Sequence, residues 1–167
     1  MLPMPTNYER AFDDRPDVYA AWCRLLAAVR DRMDPRRYEL ATFAAAQRLR
    51  SSYCSLAHGS ILRDRFGEDV RALAGDREGL SEVDLAVMEL AEQVAADATA
   101  IEESDRQRLR DLGLSDGEIM DVVLTASVRA FWTKTLDGLG VQPDASYAEL
   151  EPEIREVLVI GRPISTA

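Results

Sequence analysis

Apolar residues recur along this chain at intervals of three and four, and no stretch alternates in twos for long enough to argue a strand. That property restricts the chain to helices. The first clear period, from Asp17 to about Met33, is Val18, Trp22, Leu25, Leu26 and Val29. Asp34 and Pro35 then supply a cap and a first-position proline for a segment running to about Arg50, with Tyr38, Thr42, Ala45 and Leu49 on one face. Its small residues Ala41, Ala44, Ala45 and Ala46 let a second helix come close, which predicts a buried helix. Ser51 and Ser52 can cap the next, Tyr53 to Phe66, closed by Gly67. A short helix over Glu68 to Ala74 and a turn-rich stretch precede Ser81, which with Asp84 opens a helix to about Ala98. Glu102 to Leu112 is a further helix, closed by Gly113. Ser115 with Glu118 starts another, through Val122, Ala126 and Trp132 toward Leu139, whose Leu124 and Val128 make it apolar nearly all round. Such a helix is expected at the centre. Gly140 and Pro143 end it, and a tail with a short helix near Glu151 to Leu158 follows. The expected fold is all-α.

The chain has 167 residues, 47% hydrophobic and 30% charged, the balance of one folded domain spanning 1–167. Its net charge of −10 repels phosphate backbones and anionic lipid, which argues against nucleic acid or a membrane surface as partner. Arginines do gather at Arg30 to Arg37 and Arg106 to Arg110, but acidic residues interleave both runs, as on solvated helix faces. Nothing in Met1 to Asn7 reads as a secretory signal, and no apolar run has the length of a membrane span. Two cysteines, Cys23 and Cys54, are too few for the disulfide framework of a small secreted domain, so a reducing cytoplasm is expected.

The only histidine, His58, lies four residues after Cys54, so the two side chains share a helix face. A thiol is a nucleophile as thiolate, and a helix N-terminus, a nearby imidazole and Arg50 could each favour that form at Cys54. A cysteine packed as a small hydrophobe beside a core histidine is the alternative at this point. Cys23, between Trp22 and Arg24, reads as a packing residue, and sequence does not tell whether it reaches Cys54 in space.

The run from Glu39 through eleven residues to Ser51-Ser52-Tyr53-Cys54-Ser55-Leu56-Ala57-His58 resembles a known signature. A glutamate, eleven residues, then Cys-x-x-Cys-x-x-x-His marks the alkylhydroperoxidase D-like (AhpD-like) branch of the carboxymuconolactone decarboxylase superfamily. Leu112 to Ile119 and Phe131 to Val141 extend the resemblance, which covers about residues 35–143 and leaves 144–167 as a C-terminal tail. It implies an AhpD-like helical domain of about six to eight helices. It also implies an antioxidant, peroxiredoxin-type activity with Cys54 as the peroxidatic cysteine and His58 and Glu39 as a proton relay. Ser51 stands where the family has its other, resolving cysteine, and serine cannot form a disulfide. Thr133 and Lys134 stand where the family often has Asn and Arg.

Three repairs stay open: a one-cysteine cycle with an external thiol reductant, resolution by Cys23, or the loss of redox chemistry. The leading expectation is a thiol-dependent hydroperoxide peroxidase, with Ser51 either joining the relay or capping its helix. The alternatives are a decarboxylase-like acid–base enzyme acting through His58 and Glu39 on a small lactone or carboxylic acid, and an oligomeric binding protein with a relict site. The resemblance calls for no cofactor. A metal site at Cys54, His58 and Glu39 is disfavoured, because structural zinc wants four Cys or His ligands and the chain has three such residues in all. A homo-oligomer, trimer or hexamer, is expected from the resemblance.

Overall fold

The structure is a computed structural model that describes residues 5–166; the signal-sequence reading at residues 1–4 lies outside them. Among the described residues there is no strand. The helices are α1 (Asn7–Arg10), α2 (Pro16–Arg30), α3 (Pro35–Arg48), α4 (Ser52–Phe66), α5 (Val70–Ala74), α6 (Glu82–Asp97), α7 (Glu103–Asp111), α8 (Asp116–Gly138) and α9 (Pro152–Leu158). Seven of these have at least seven residues, within the expected range.

Local chemistry sets the boundaries. Asp34 accepts from the Arg37 amide at 2.9 Å and Pro35 occupies the first turn of α3, where its missing N–H costs nothing. Ser81 opens α6, and Ser115 with Glu118 forms a full capping box on α8. Gly67 ends α4 at φ 71°, in the left-handed region that glycine enters without a Cβ clash. Helix α2 stops at Arg30 rather than Met33, since Asp31 to Met33 turn the chain into the Asp34 cap.

Helix α3 is the centre. Every residue from Tyr38 to Ala46 is buried, and α4, α6 and α8 all pack on it, approaching closely over its alanines. This displaces the expectation for α8. Although apolar nearly all round, α8 leaves Met120, Leu124 and Phe131 exposed on one stripe, with Leu25 of α2 likewise exposed. Its remaining faces pack on α2, α3 and α6, and no described element covers that stripe. A 420 Å³ hollow between Leu25, Trp22 and Phe131 lies along it.

The C-terminal tail is part of the core. Leu158 of α9 is fully buried against α4, so close that a Cβ on Gly59 would meet its Cδ2 at 2.8 Å. The Gly161 amide then donates to Ser52 Oγ at 2.8 Å. A second, aromatic cluster lies between α2, α4 and α8. Trp22 stacks on Trp132 with ring centroids 3.7 Å apart, and Phe12 lies on the same indole at 5.0 Å. Each such pair is worth about 1 kcal/mol beyond the area it buries. Cys54 belongs to this cluster, which seats the thiol against α8.

Candidate functional site

Cys54 is the third residue of α4, 2% exposed, with its sulfur turned toward α8. Thr133 Oγ1 donates to Sγ at 3.3 Å and Arg129 Nη1 at 3.7 Å. Arg129 and Thr133 are four apart on α8, so both reach the same point. One turn along α4, His58 Nδ1 lies 2.6 Å from Oε2 of Glu39, itself buried on α3. With Glu39 ionised, Nδ1 is the donor and Nε2 keeps its lone pair. The Tyr38 ring meets the imidazole edge-on at 6.5 Å. No hydrogen bond among the described residues joins Sγ to His58; they are linked by the cavity that both line.

That cavity has a volume of about 340 Å³. Cys54, His58, Glu39 and Arg129 line it together with Cys23 of α2, and Trp132 closes its aromatic side. A neighbouring space of about 470 Å³ shares the Tyr38 and Glu39 border. Among the described residues no group of three His, Cys, Asp or Glu side chains gathers as a metal site would require.

Arg129 governs the electrostatics. It is 4% exposed, and among the described residues no carboxylate pairs with it and its Nε has no hydrogen-bond partner. Burial works against its charge, but the interactions with Cys54 and then Tyr38 outweigh burial and hold its pKa above the ordinary arginine value. An isolated buried cation costs several kcal/mol, so the fold retains Arg129 beside the sulfur at an expense that an anion there would offset. Burial pushes the His58 pKa below 6.5 and the Arg129 charge pushes it further down, against the pull of Glu39. The imidazole is therefore neutral at neutral pH.

Ser51 is not brought to the cavity. It is fully buried at the N-cap of α4 with extended backbone, yet its side chain makes no capping bond and its Oγ makes no hydrogen bond of ordinary geometry. It lies beside the Asp137 carboxyl, which burial raises and which Arg162 and Ser51 help hold down. Ser51 therefore holds the N-cap position without a side-chain cap, and it does not line the cavity that the relay residues share. Cys54, His58 and Glu39 do come together as their spacing predicts. The reading of the residues missed Arg129, whose signal was a cation set in an apolar stretch of α8, between Val128 and Ala130 and four residues before Thr133.

In sequence the chain matches no family model and no curated relative. Solved structures do match it in fold, and three of them illustrate the likeness. An uncharacterized peroxidase-related protein from Silicibacter sp. TM1040 superposes with a TM-score of 0.80 at 20% identity, over 89% of this chain and 81% of that one. An uncharacterized peroxidase-related protein from Ralstonia eutropha JMP134, described as an alkylhydroperoxidase AhpD core, gives 0.76 at 18% identity, over 94% and 83%. A protein of unknown function from Agrobacterium tumefaciens, proposed to be the antioxidant defence protein AhpD, gives 0.71 at 19%, over 79% and 94%. At these identities the likeness is one of fold.

Proposed function

We propose that this chain, which has the AhpD-like helical fold of peroxidase-related proteins, belongs to the AhpD-like branch by descent and reduces hydroperoxides at Cys54. The observation that carries this reading is Arg129: a buried guanidinium with no carboxylate partner among the described residues, directed with Thr133 at a single sulfur. Such a setting suits a thiolate. In the proposed step the Cys54 thiolate attacks the outer oxygen of ROOH, the O–O bond breaks, and an S–O bond forms. Sulfur is oxidised by two electrons to the sulfenic acid, and the alkoxide leaves as ROH after taking a proton. Neutral His58, held by Glu39, accepts the thiol proton through a water or the substrate in the cavity and returns it to the leaving oxygen. Trp132 and its aromatic neighbours favour an organic rather than a strongly hydrated hydroperoxide. A homo-oligomer would cover the exposed stripe of Met120, Leu124 and Phe131.

The test is single-turnover oxidation of reduced protein by one equivalent of cumene hydroperoxide, followed by intact mass. Charge-assisted hydrogen bonds contribute about 1.5–3 kcal/mol, so Arg129→Met should slow Cys54 oxidation about 10- to 100-fold. Wild-type oxidation no faster than that of free cysteine would sink the proposal. The 2.6 Å Glu39–His58 contact also suits acid–base work on a small lactone or carboxylic acid. Activity of that kind would survive Cys54→Ser, whereas peroxidase activity would vanish.

A further inference from the structure

Two stripes of side chains face each other across the cavity that holds Cys54. On α2 the stripe is Tyr19, Cys23, Leu26 and Arg30; on α4 it is Cys54, Ala57, His58 and Ile61. Their ends fix the register. At one end Tyr8 touches both Tyr19, at 6.5 Å between ring centroids, and Tyr53, at 5.7 Å. At the other end Arg30 and Ile61 together border the neighbouring cavity beside Glu39. The two helices therefore run the same way past the cavity. Cys23 stands seven residues before Arg30 and Cys54 seven before Ile61, so counted from that end the two cysteines hold matching positions along the cavity.

Both of the chain's thiols thus open onto one space, while Ser51 lies away from it beside Asp137. Helix α2 is also lightly tethered, since only Trp22 and Val29 of its residues are buried. Cys54 is buried and Cys23 partly exposed, which divides the labour between them.

We propose that Cys23 is the resolving cysteine of this protein, and that oxidation ends in an intramolecular Cys23–Cys54 disulfide tying α2 to α4. The inference rests on the peroxidase reading above. After the hydroperoxide has left Cys54 as a sulfenic acid, the Cys23 thiolate attacks Sγ of Cys54. The S–S bond forms, the S–O bond breaks, and hydroxide departs with the Cys23 proton as water. Two thiols have then supplied the two electrons that turned ROOH into ROH. An external dithiol returns them by attacking the accessible sulfur of Cys23, with Cys54 leaving as a thiolate between Arg129 and Thr133. A disulfide needs Cα atoms about 4.4–6.8 Å apart, so its formation fixes α2 against α4 at that spacing across the cavity.

The experiment treats the reduced full chain with one equivalent of cumene hydroperoxide in the presence of dimedone, then reads intact mass and unreduced peptide maps. Wild type should lose about 2 Da as a monomer, with no thiol left to alkylate and the Cys23 and Cys54 peptides linked. Cys23→Ser should instead accumulate the dimedone adduct on Cys54. A wild-type protein that gathers that adduct while Cys23 stays free overturns the inference and leaves the peroxidase reading standing. A linkage found only between two chains overturns it as well. If neither thiol is oxidised, both readings fall, and diamide, which pairs neighbouring thiols without a peroxidase step, separates the causes. Pairing by diamide alone places the fault in the chemistry at Cys54, and no pairing by diamide places it in the geometry.

Discussion

At the scale of single residues, the state of His58 follows from two neighbours of opposite sign. Arg129 disfavours an imidazolium and Glu39 favours one, while burial, the largest of the three effects, sides with Arg129. Because the chain holds one histidine, its imidazole C–H resonance can be followed by NMR without assignment. The wild-type resonance should titrate below pH 6.5, Arg129→Met should move its midpoint up, and Glu39→Gln should move it down. Shifts of the same sign in both variants would contradict the arrangement. Cys54, His58 and Glu39 were legible in the sequence because a spacing of four fixes a shared helix face, and because the interval to Glu39 matched a known signature. Arg129 and Cys23 were not. Their nearness to Cys54 depends on how α8 and α2 pack on α4, and no local period encodes that.

At the scale of elements, caps and closing glycines located most helices to within a few residues: Asp34, Ser81, Ser115 and Gly67 each act through groups adjacent in the chain. Sidedness was harder to read. The apolar composition of α8 does not say which faces meet neighbours, and the tail gave no sign that Leu158 would seal α4 one residue past His58. Gly59 makes that seal testable. A Cβ there would meet Leu158 at 2.8 Å and Phe43 at 3.3 Å. In wild type, Gly59→Ala trades about 1 kcal/mol of helix propensity against overpacking of about 1–3 kcal/mol, a net loss or near balance. Leu158→Ala alone should cost about 2–5 kcal/mol. In the Leu158→Ala background the Leu158 clash is gone and only the tight Phe43 contact remains, so Gly59→Ala should cost less than in wild type and turn stabilising by up to about 1 kcal/mol. Urea unfolding of the four proteins measures this. Additive effects would show that α9 does not press on α4 as described.

For the molecule as a whole, the buried imidazole links the site to global stability. The folded state holds His58 below its ordinary pKa of 6.5, so the unfolded chain binds more protons between the two values. The sign is fixed: above pH 6.5 His58 is neutral in both states and contributes nothing, and as pH falls below 6.5 the unfolded state gains a proton the folded state refuses. Stability is lost in that direction, at no more than about 1.4 kcal/mol per pH unit for one proton. A second acid loss lies lower. Asp84 is pushed up by burial but held below its ordinary 3.8 by Ser81, Arg36 and Arg37, so its contribution is present above 3.8 and disappears as pH falls through its lower folded value. The two windows do not overlap at pH 5 to 6.5. Urea midpoints measured across that interval should fall with pH in wild type and stay nearly flat in His58→Gln, whose amide can still donate to Glu39. Below pH 4 both proteins should lose stability together, because Asp84 is common to them. Parallel curves from pH 7 to 5 would mean that the imidazole takes up its proton in the folded state as readily as in water, and that burial and Arg129 do not hold it below its ordinary value.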